Sequence, residues 1–268
     1  MEFHSILIVG CGNMAGAMLE GWLAAGFDPA RFTIAEPSDR ALPERVERHC
    51  SIPAFGDFDA ILLGVKPQML GDVAPAVAKL AGENTTVLSL LAGVELATLA
   101  RRIPAAAAHV RVMPNLAVAL GKAPIGLAES GLDGAGRAAL VELMKPLGTS
   151  EWIDEDEFNL VTALAGSGPA FVYRFIDALA EGAAILGLPK EQAQRLALAM
   201  VEGAAALAAA SPDGPGELAR RVASPGGTTQ KGLDVLDADE ALLGLITETL
   251  RAARDRGAEL AAAARGAA

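Results

Sequence analysis

The chain is short of several things that metal sites, triads and secreted folds rely on. Its 268 residues include two cysteines, Cys11 and Cys50, too few and too far apart for a disulfide framework or a thiolate metal cage. Reduced thiols in a cytoplasmic setting are expected, with no metal. Three histidines, His4, His49 and His109, stand at a strand start, a helix end and a strand start, with no cysteine or carboxylate cluster around them. That argues against a zinc site or a Ser-His-Asp triad, so any chemistry here runs without an obvious histidine base. Basic residues are outnumbered 22 to 33, a formal net charge of −11, which disfavours nucleic acid and anionic membranes as partners. Small anions stay open, because backbone N–H groups can hold them whatever the net charge. No window approaches the roughly 20 uninterrupted apolar residues of a membrane span. The opening "MEFHSILIVG" lacks a basic leader and reads as a first strand rather than a signal peptide.

What is present is a β-α alternation in the first half. Short β-branched runs at 5–10, 31–36, 60–65, 85–91 and 109–114 are separated by amphipathic stretches at 13–26, 38–50, 68–81 and 95–102. Near-continuous apolar strands of this kind belong to a mostly parallel, doubly wound sheet covered on both faces. A weaker strand at 123–129, a helix at 133–148 and an edge strand at 150–154 complete it. Beyond residue 155 strands disappear. An acidic-led helix ends at "GSGPA" (166–170), and two long helices follow on either side of Gly187-Leu188-Pro189. They are apolar almost all round, so an intersubunit interface is expected, most simply a two-fold dimer. The domains read as 1–154, a dinucleotide-binding α/β domain, and 155–268, an all-α domain.

"VGCGNMAGAM" sets Gly10-x-Gly12-x-x-Ala15 after the first strand and at a helix opening. Gly10 permits the tight turn, Gly12 lets a pyrophosphate approach the backbone, and Ala15 lets helix and strand pack closely. Glu36 lies 24 residues beyond Gly12, where an acid takes the ribose hydroxyls of NAD and repels a 2′-phosphate. Ser38 and Arg40 are near enough to grip such a phosphate if Glu36 points away. NADH is therefore ahead on electrostatics, and NADPH stays open. Lys66-Pro67, Ala92-Gly93 and Asn115 follow strands whose carboxyl ends should line the cofactor crevice. Asn115 reads equally as a nicotinamide contact or a plain turn residue.

Five motifs in fixed order narrow the field: Gly10-Cys11-Gly12-Asn13-Met14-Ala15, Val65-Lys66-Pro67, Arg111-Val112-Met113-Pro114-Asn115, Gly166-Ser167-Gly168-Pro169-Ala170 and Ser224-Pro225-Gly226-Gly227-Thr228-Thr229. Together they resemble pyrroline-5-carboxylate reductase, from about residue 5 to 260. The resemblance implies a Rossmann domain with a helical dimerisation domain, homodimers that often assemble into decamers, and reduction of 1-pyrroline-5-carboxylate to L-proline by NADPH or NADH. It carries nucleotide contacts to Gly10, Gly12, Asn13, Met14, Lys66, Pro67 and Gly93. Substrate contacts go to Val222, Ser224, Gly226, Gly227, Thr228 and Thr229. Leu116, Arg221 and Glu36 depart from the family's pattern.

The cofactor supplies the hydride, so the lack of a catalytic histidine fits. Gly226 and Gly227 lead into a helix start whose N–H groups suit a carboxylate, and the Thr229 hydroxyl is placed to polarise the ring nitrogen. The competing readings are a reductase of another small cyclic imine and a non-catalytic dinucleotide-binding regulator. A β-hydroxyacid dehydrogenase should carry a catalytic lysine on its interdomain helix, and none occurs in 151–189.

Overall fold

The structure, a computed structural model, describes residues 3–39, 41–43 and 45–266, with side chains described as far as residue 263. The chain divides into two compact units: one running to Ser167 and including the segment from Ala252, the other Gly168–Arg251.

In the first unit β1 (Ile6–Val9) leads into α1 (Asn13–Ala24), then β2 (Phe32–Ala35), β3 (Glu47–His49) and β4 (Ala60–Leu63). Next come α2 (Leu70–Leu80), β5 (Thr86–Ser89), α3 (Leu96–Arg102), β6 (Ala108–Met113), β7 (Ala123–Ser130), α4 (Gly134–Met144) and β8 (Gly148–Trp152). The eight strands lie in the order β3-β2-β1-β4-β5-β6-β7-β8, parallel throughout except for β6 against β7. β1 and β4 are apolar and buried at every position because both faces are covered. Ile6 and Ile8 of β1 pack with Met18, Trp22 and Leu143, whereas Leu7 and Val9 pack with Val77, Leu80 and Leu99. Trp22 stacks on Phe32 at 5.5 Å and donates its indole N–H to the Leu143 carbonyl at 2.7 Å. An indole this deeply buried needs that acceptor.

Two expectations are corrected. The stretch 38–50 is not a helix: its end forms β3, and no helix occurs among the described residues between β2 and β3. Proline at 43 and a polar run leave that segment too little apolar face to hold a helix on the sheet. Nor is 155–166 one regular helix. It is a 3-10 turn at Glu155–Glu157, α5 (Phe158–Val161) and a π turn at Thr162–Gly166.

The second unit holds α6 (Gly168–Ile185), α7 (Lys190–Ala210), α8 (Pro215–Val222), α9 (Thr228–Asp237) and the start of α10 (Ala241–Gly266). Helices α6 and α7 meet through small residues, Ala180 against Ala193 and Ala197. Much larger side chains stay exposed, among them Tyr173, Phe175, Leu196, Leu198, Met200 and Leu207. By length and composition α7 could also cross a membrane. Its apolar run is broken by Arg195 and Glu202, so the expectation about uninterrupted runs stands.

Candidate active site

The strand order reverses between β1 and β4, and it is outside the carboxyl ends of strands at such a switch point that open α/β sheets take their ligands. The floor there is a glycine pair. Gly10 takes φ +83, and a Cβ on it would lie 2.6 Å from Val65 Cγ1. A Cβ on Gly64 would fall 2.3 Å from the Gly10 carbonyl oxygen and 2.8 Å from Ala15 Cβ. Gly64, not singled out from the sequence, is therefore as constrained as Gly10; its position after a buried strand was the available signal. Gly12 differs, since the nearest atom to a Cβ there is the Gly64 oxygen at 3.9 Å. That open space sits at the N-cap of α1, the end at which a helix presents its first-turn N–H groups. A cradle that a side chain would fill, backed by a helix N-terminus, fits a dinucleotide pyrophosphate.

At the end of β2 the Glu36 carboxylate accepts the Cys11 N–H at 2.8 Å and the Ser38 N–H at 3.0 Å. It thus spans from the β2 turn to the glycine loop, where an adenosine ribose would lie. Burial tends to raise its pKa, but the hydrogen bonds from Ser38 and Cys11 and the charge of Arg48 together hold it below the usual carboxylate value. The group is ionised at neutral pH. Arg40, the alternative phosphate ligand, lies outside the described residues.

Lys66 and Pro67 follow β4 on the same edge of the sheet, Lys66 exposed and Pro67 opening a 3-10 turn. Gly93 takes φ +74, and a Cβ there would meet the backbone of Leu260 and Ala261 in α10 at 3.1 Å. Close helix packing accounts for that glycine independently of any ligand. Asn115 is buried, with its Oδ1 accepting the Ala117 N–H at 2.9 Å and its Nδ2 donating to the Ala165 carbonyl at 2.9 Å. Its amide serves the turn and tethers the π segment, which favours the structural reading of this residue.

In the second unit, Ser224-Pro225-Gly226-Gly227 is a tight turn closed by the Gly227 N–H on the Ser224 carbonyl at 2.9 Å. Gly226 takes φ +71 with open space where a Cβ would be. These are the features of a type II turn with proline at its second position and glycine at its third. Gly227 caps α9 through extended backbone, without a side-chain cap. Of the N–H groups expected to suit a carboxylate here, that of Gly227 is committed to the turn. Gly226 and the first turn of α9, beginning at Thr228 and Thr229, carry the remaining donors. Both threonines, Ser224 and Val222 are exposed. Arg221 pairs with Asp213 and lies 3.4 Å from Glu217, which holds it along α8.

Sequence comparison decides what the two sites belong to. A family model described as "Pyrroline-5-carboxylate reductase dimerisation" matches residues 155–260. The chain is 32% identical to pyrroline-5-carboxylate reductase of Pseudomonas aeruginosa, over 97% of this chain and 98% of the other.

The chain belongs to the pyrroline-5-carboxylate reductase family.

It is also 34% identical to pyrroline-5-carboxylate reductase 2 of Bacillus subtilis over 96% of both chains. The solved structure of a pyrroline-5-carboxylate reductase from Coxiella burnetii, 30% identical, superposes with a TM-score of 0.86 over 97% of this chain and 99% of that one. A second family model, "NADP oxidoreductase coenzyme F420-dependent", matches residues 5–93, the segment holding the glycine loop, Glu36 and Lys66. The α/β sheet is thus the Rossmann domain of the family, and the helical segment its dimerisation domain.

Proposed function

We propose that the chain reduces 1-pyrroline-5-carboxylate to L-proline with NADH, the last step of proline biosynthesis. The carrying observation is that the chain is similar over nearly its full length to pyrroline-5-carboxylate reductases and holds both a glycine loop opening α1 and a glycine turn opening α9.

Bound in the crevice, the dihydronicotinamide supplies a hydride for the imine carbon. Gly10, Gly12, Asn13 and Met14 hold the pyrophosphate, and Lys66, Pro67 and Gly93 border the rest of the cofactor. Glu36 takes the ribose hydroxyls. Its carboxylate, already ionised and fixed by two N–H groups, opposes a 2′-phosphate, which supports NADH over NADPH. The substrate carboxylate sits at the N-terminus of α9, on the N–H groups of Gly226 and Thr228, beside Ser224, Gly227 and Val222. Thr229 Oγ donates to the ring nitrogen and orients it, and solvent supplies the proton that nitrogen gains. A threonine hydroxyl is a poor acid, so Thr229 acts by polarisation. Thr229→Ala is expected to lower kcat/KM by about one to three decades, equivalent to about 1.4–4 kcal/mol of transition-state stabilisation. A rate equal to the parent's would remove Thr229 from the site.

Large apolar side chains left exposed on α6 and α7, Tyr173, Phe175, Leu198 and Leu207 among them, support a homodimer. Dimers assembling into a decamer would extend that arrangement. The exposed Cys50 thiol suits the reducing cytoplasm, where we place the enzyme.

A further inference from the structure

Parallel neighbours in a sheet are joined by crossovers of about a dozen residues or more, usually containing a helix. Between β2 and β3 this chain has only residues 36–46, with no helix among those described. The short return places Arg45 in the left-handed region at φ 69, a conformation costly for a residue with a Cβ. The missing helix would otherwise start just after the ribose-facing turn and hold it in place. Here that turn, Glu36 to Ser38, is held from β3 instead. The Glu36 N–H donates to the His49 carbonyl at 2.9 Å, continuing the ladder. The guanidinium of Arg48 donates to the carbonyl of Ser38 and reaches the carbonyl of Glu36 at 3.5 Å. It also stands 3.9 Å from the Asp39 carboxylate, with its side chain 29% exposed.

We propose that Arg48 is the positioning residue for dinucleotide selectivity, clamping the carbonyls of residues 36 and 38 so that the Glu36 carboxylate stays turned to the adenosine ribose. The inference rests on the NADH reading of Glu36. One nitrogen, Nη2, makes both contacts, its two N–H groups serving two carbonyls of one turn. So bound, Nη2 of Arg48 is committed to the protein's own backbone rather than to a 2′-phosphate. Loosening the clamp frees Glu36 to swing out, which weakens NADH and relieves the repulsion of NADPH.

The test is steady-state kinetics of the full chain with NADH and NADPH at saturating 1-pyrroline-5-carboxylate, alongside thermal unfolding. Arg48→Gln is expected to raise KM for NADH about tenfold, the scale of one or two lost charge-assisted hydrogen bonds. Its kcat and Tm should stay near the parent's, and KM for NADPH should be level or lower. Arg48→Lys, which keeps a charged nitrogen donor but on a shorter side chain, should give a smaller rise of about threefold. It carries the test if the glutamine variant does not fold. Unchanged NADH KM in both variants would overturn the inference. So would a rise confined to NADPH, which would mean that Arg48 grips the 2′-phosphate. Glu36→Ala separates the two ideas, since failure to lose NADH preference there overturns the reading of Glu36 itself.

Discussion

Arg111 shows how one buried charge can organise a neighbourhood. Its side chain is 4% exposed, with Nη1 3.1 Å from Glu155 Oε1 and the guanidinium 3.6 Å over the Phe158 ring. The same Glu155 oxygen accepts the Leu96 N–H at 2.7 Å, at the start of α3. Burial pulls Arg111 below the ordinary arginine range, and Glu155 and Glu95 oppose it. Arg111 Nε finds no hydrogen-bond partner, so this site has little tolerance for further loss. Removing Glu155 leaves the cation with only the smaller support of Glu95, where breaking a fully buried pair costs about 3–5 kcal/mol. Glu155 is itself 32% exposed, so Glu155→Ala is expected to fall at about 2–3 kcal/mol in a denaturant melt. A loss under about 0.5 kcal/mol, the scale of an ordinary surface change, would show that the pair is not structural. Sequence alone gave Arg111 only as part of a motif, because a partner 44 residues away has no local signature.

At the scale of elements, β6 and α3 are tied by His109. This buried ring lies on β6, and its Nε2–H donates at 3.0 Å to the carbonyl of Ile103, the residue that closes α3. Burial lowers its pKa below the usual histidine value, against the opposing effect of that hydrogen bond. The folded state therefore holds the ring neutral where the unfolded chain would already be protonated. By linkage, this contribution is complete above about pH 6.5 and is lost as pH falls from there toward the folded pKa. His109→Gln should flatten the fall in Tm over that acid range; an unaltered pH profile would refute the assignment. The strands were legible because burial on both faces writes itself as apolar runs. β3 was not, since Glu47-Arg48-His49 is an edge strand with polar side chains and takes its stability from β2 alone. The π turn at 162–166 was hidden for another reason: its sequence "TALAG" suits an α-helix, and its wider geometry goes with tertiary ties such as Asn115 on the Ala165 carbonyl.

For the molecule as a whole, the glycine loop, the acid after β2 and the turn before α9 could be picked out because each needs particular residue types at fixed spacing. The supports behind them could not. Gly64 beneath Gly10, α10 against Gly93 and Arg48 behind Glu36 are all contacts made by folding, invisible to local pattern. The central claim joins a dinucleotide crevice to an imine site in one catalytic cycle. It is tested most directly by incubating the full chain with 1-pyrroline-5-carboxylate and either NADH or NADPH, following cofactor absorbance and identifying the amino acid formed. The account predicts proline in proportion to cofactor oxidised, and faster with NADH. No oxidation of either cofactor, or oxidation without proline, would contradict it.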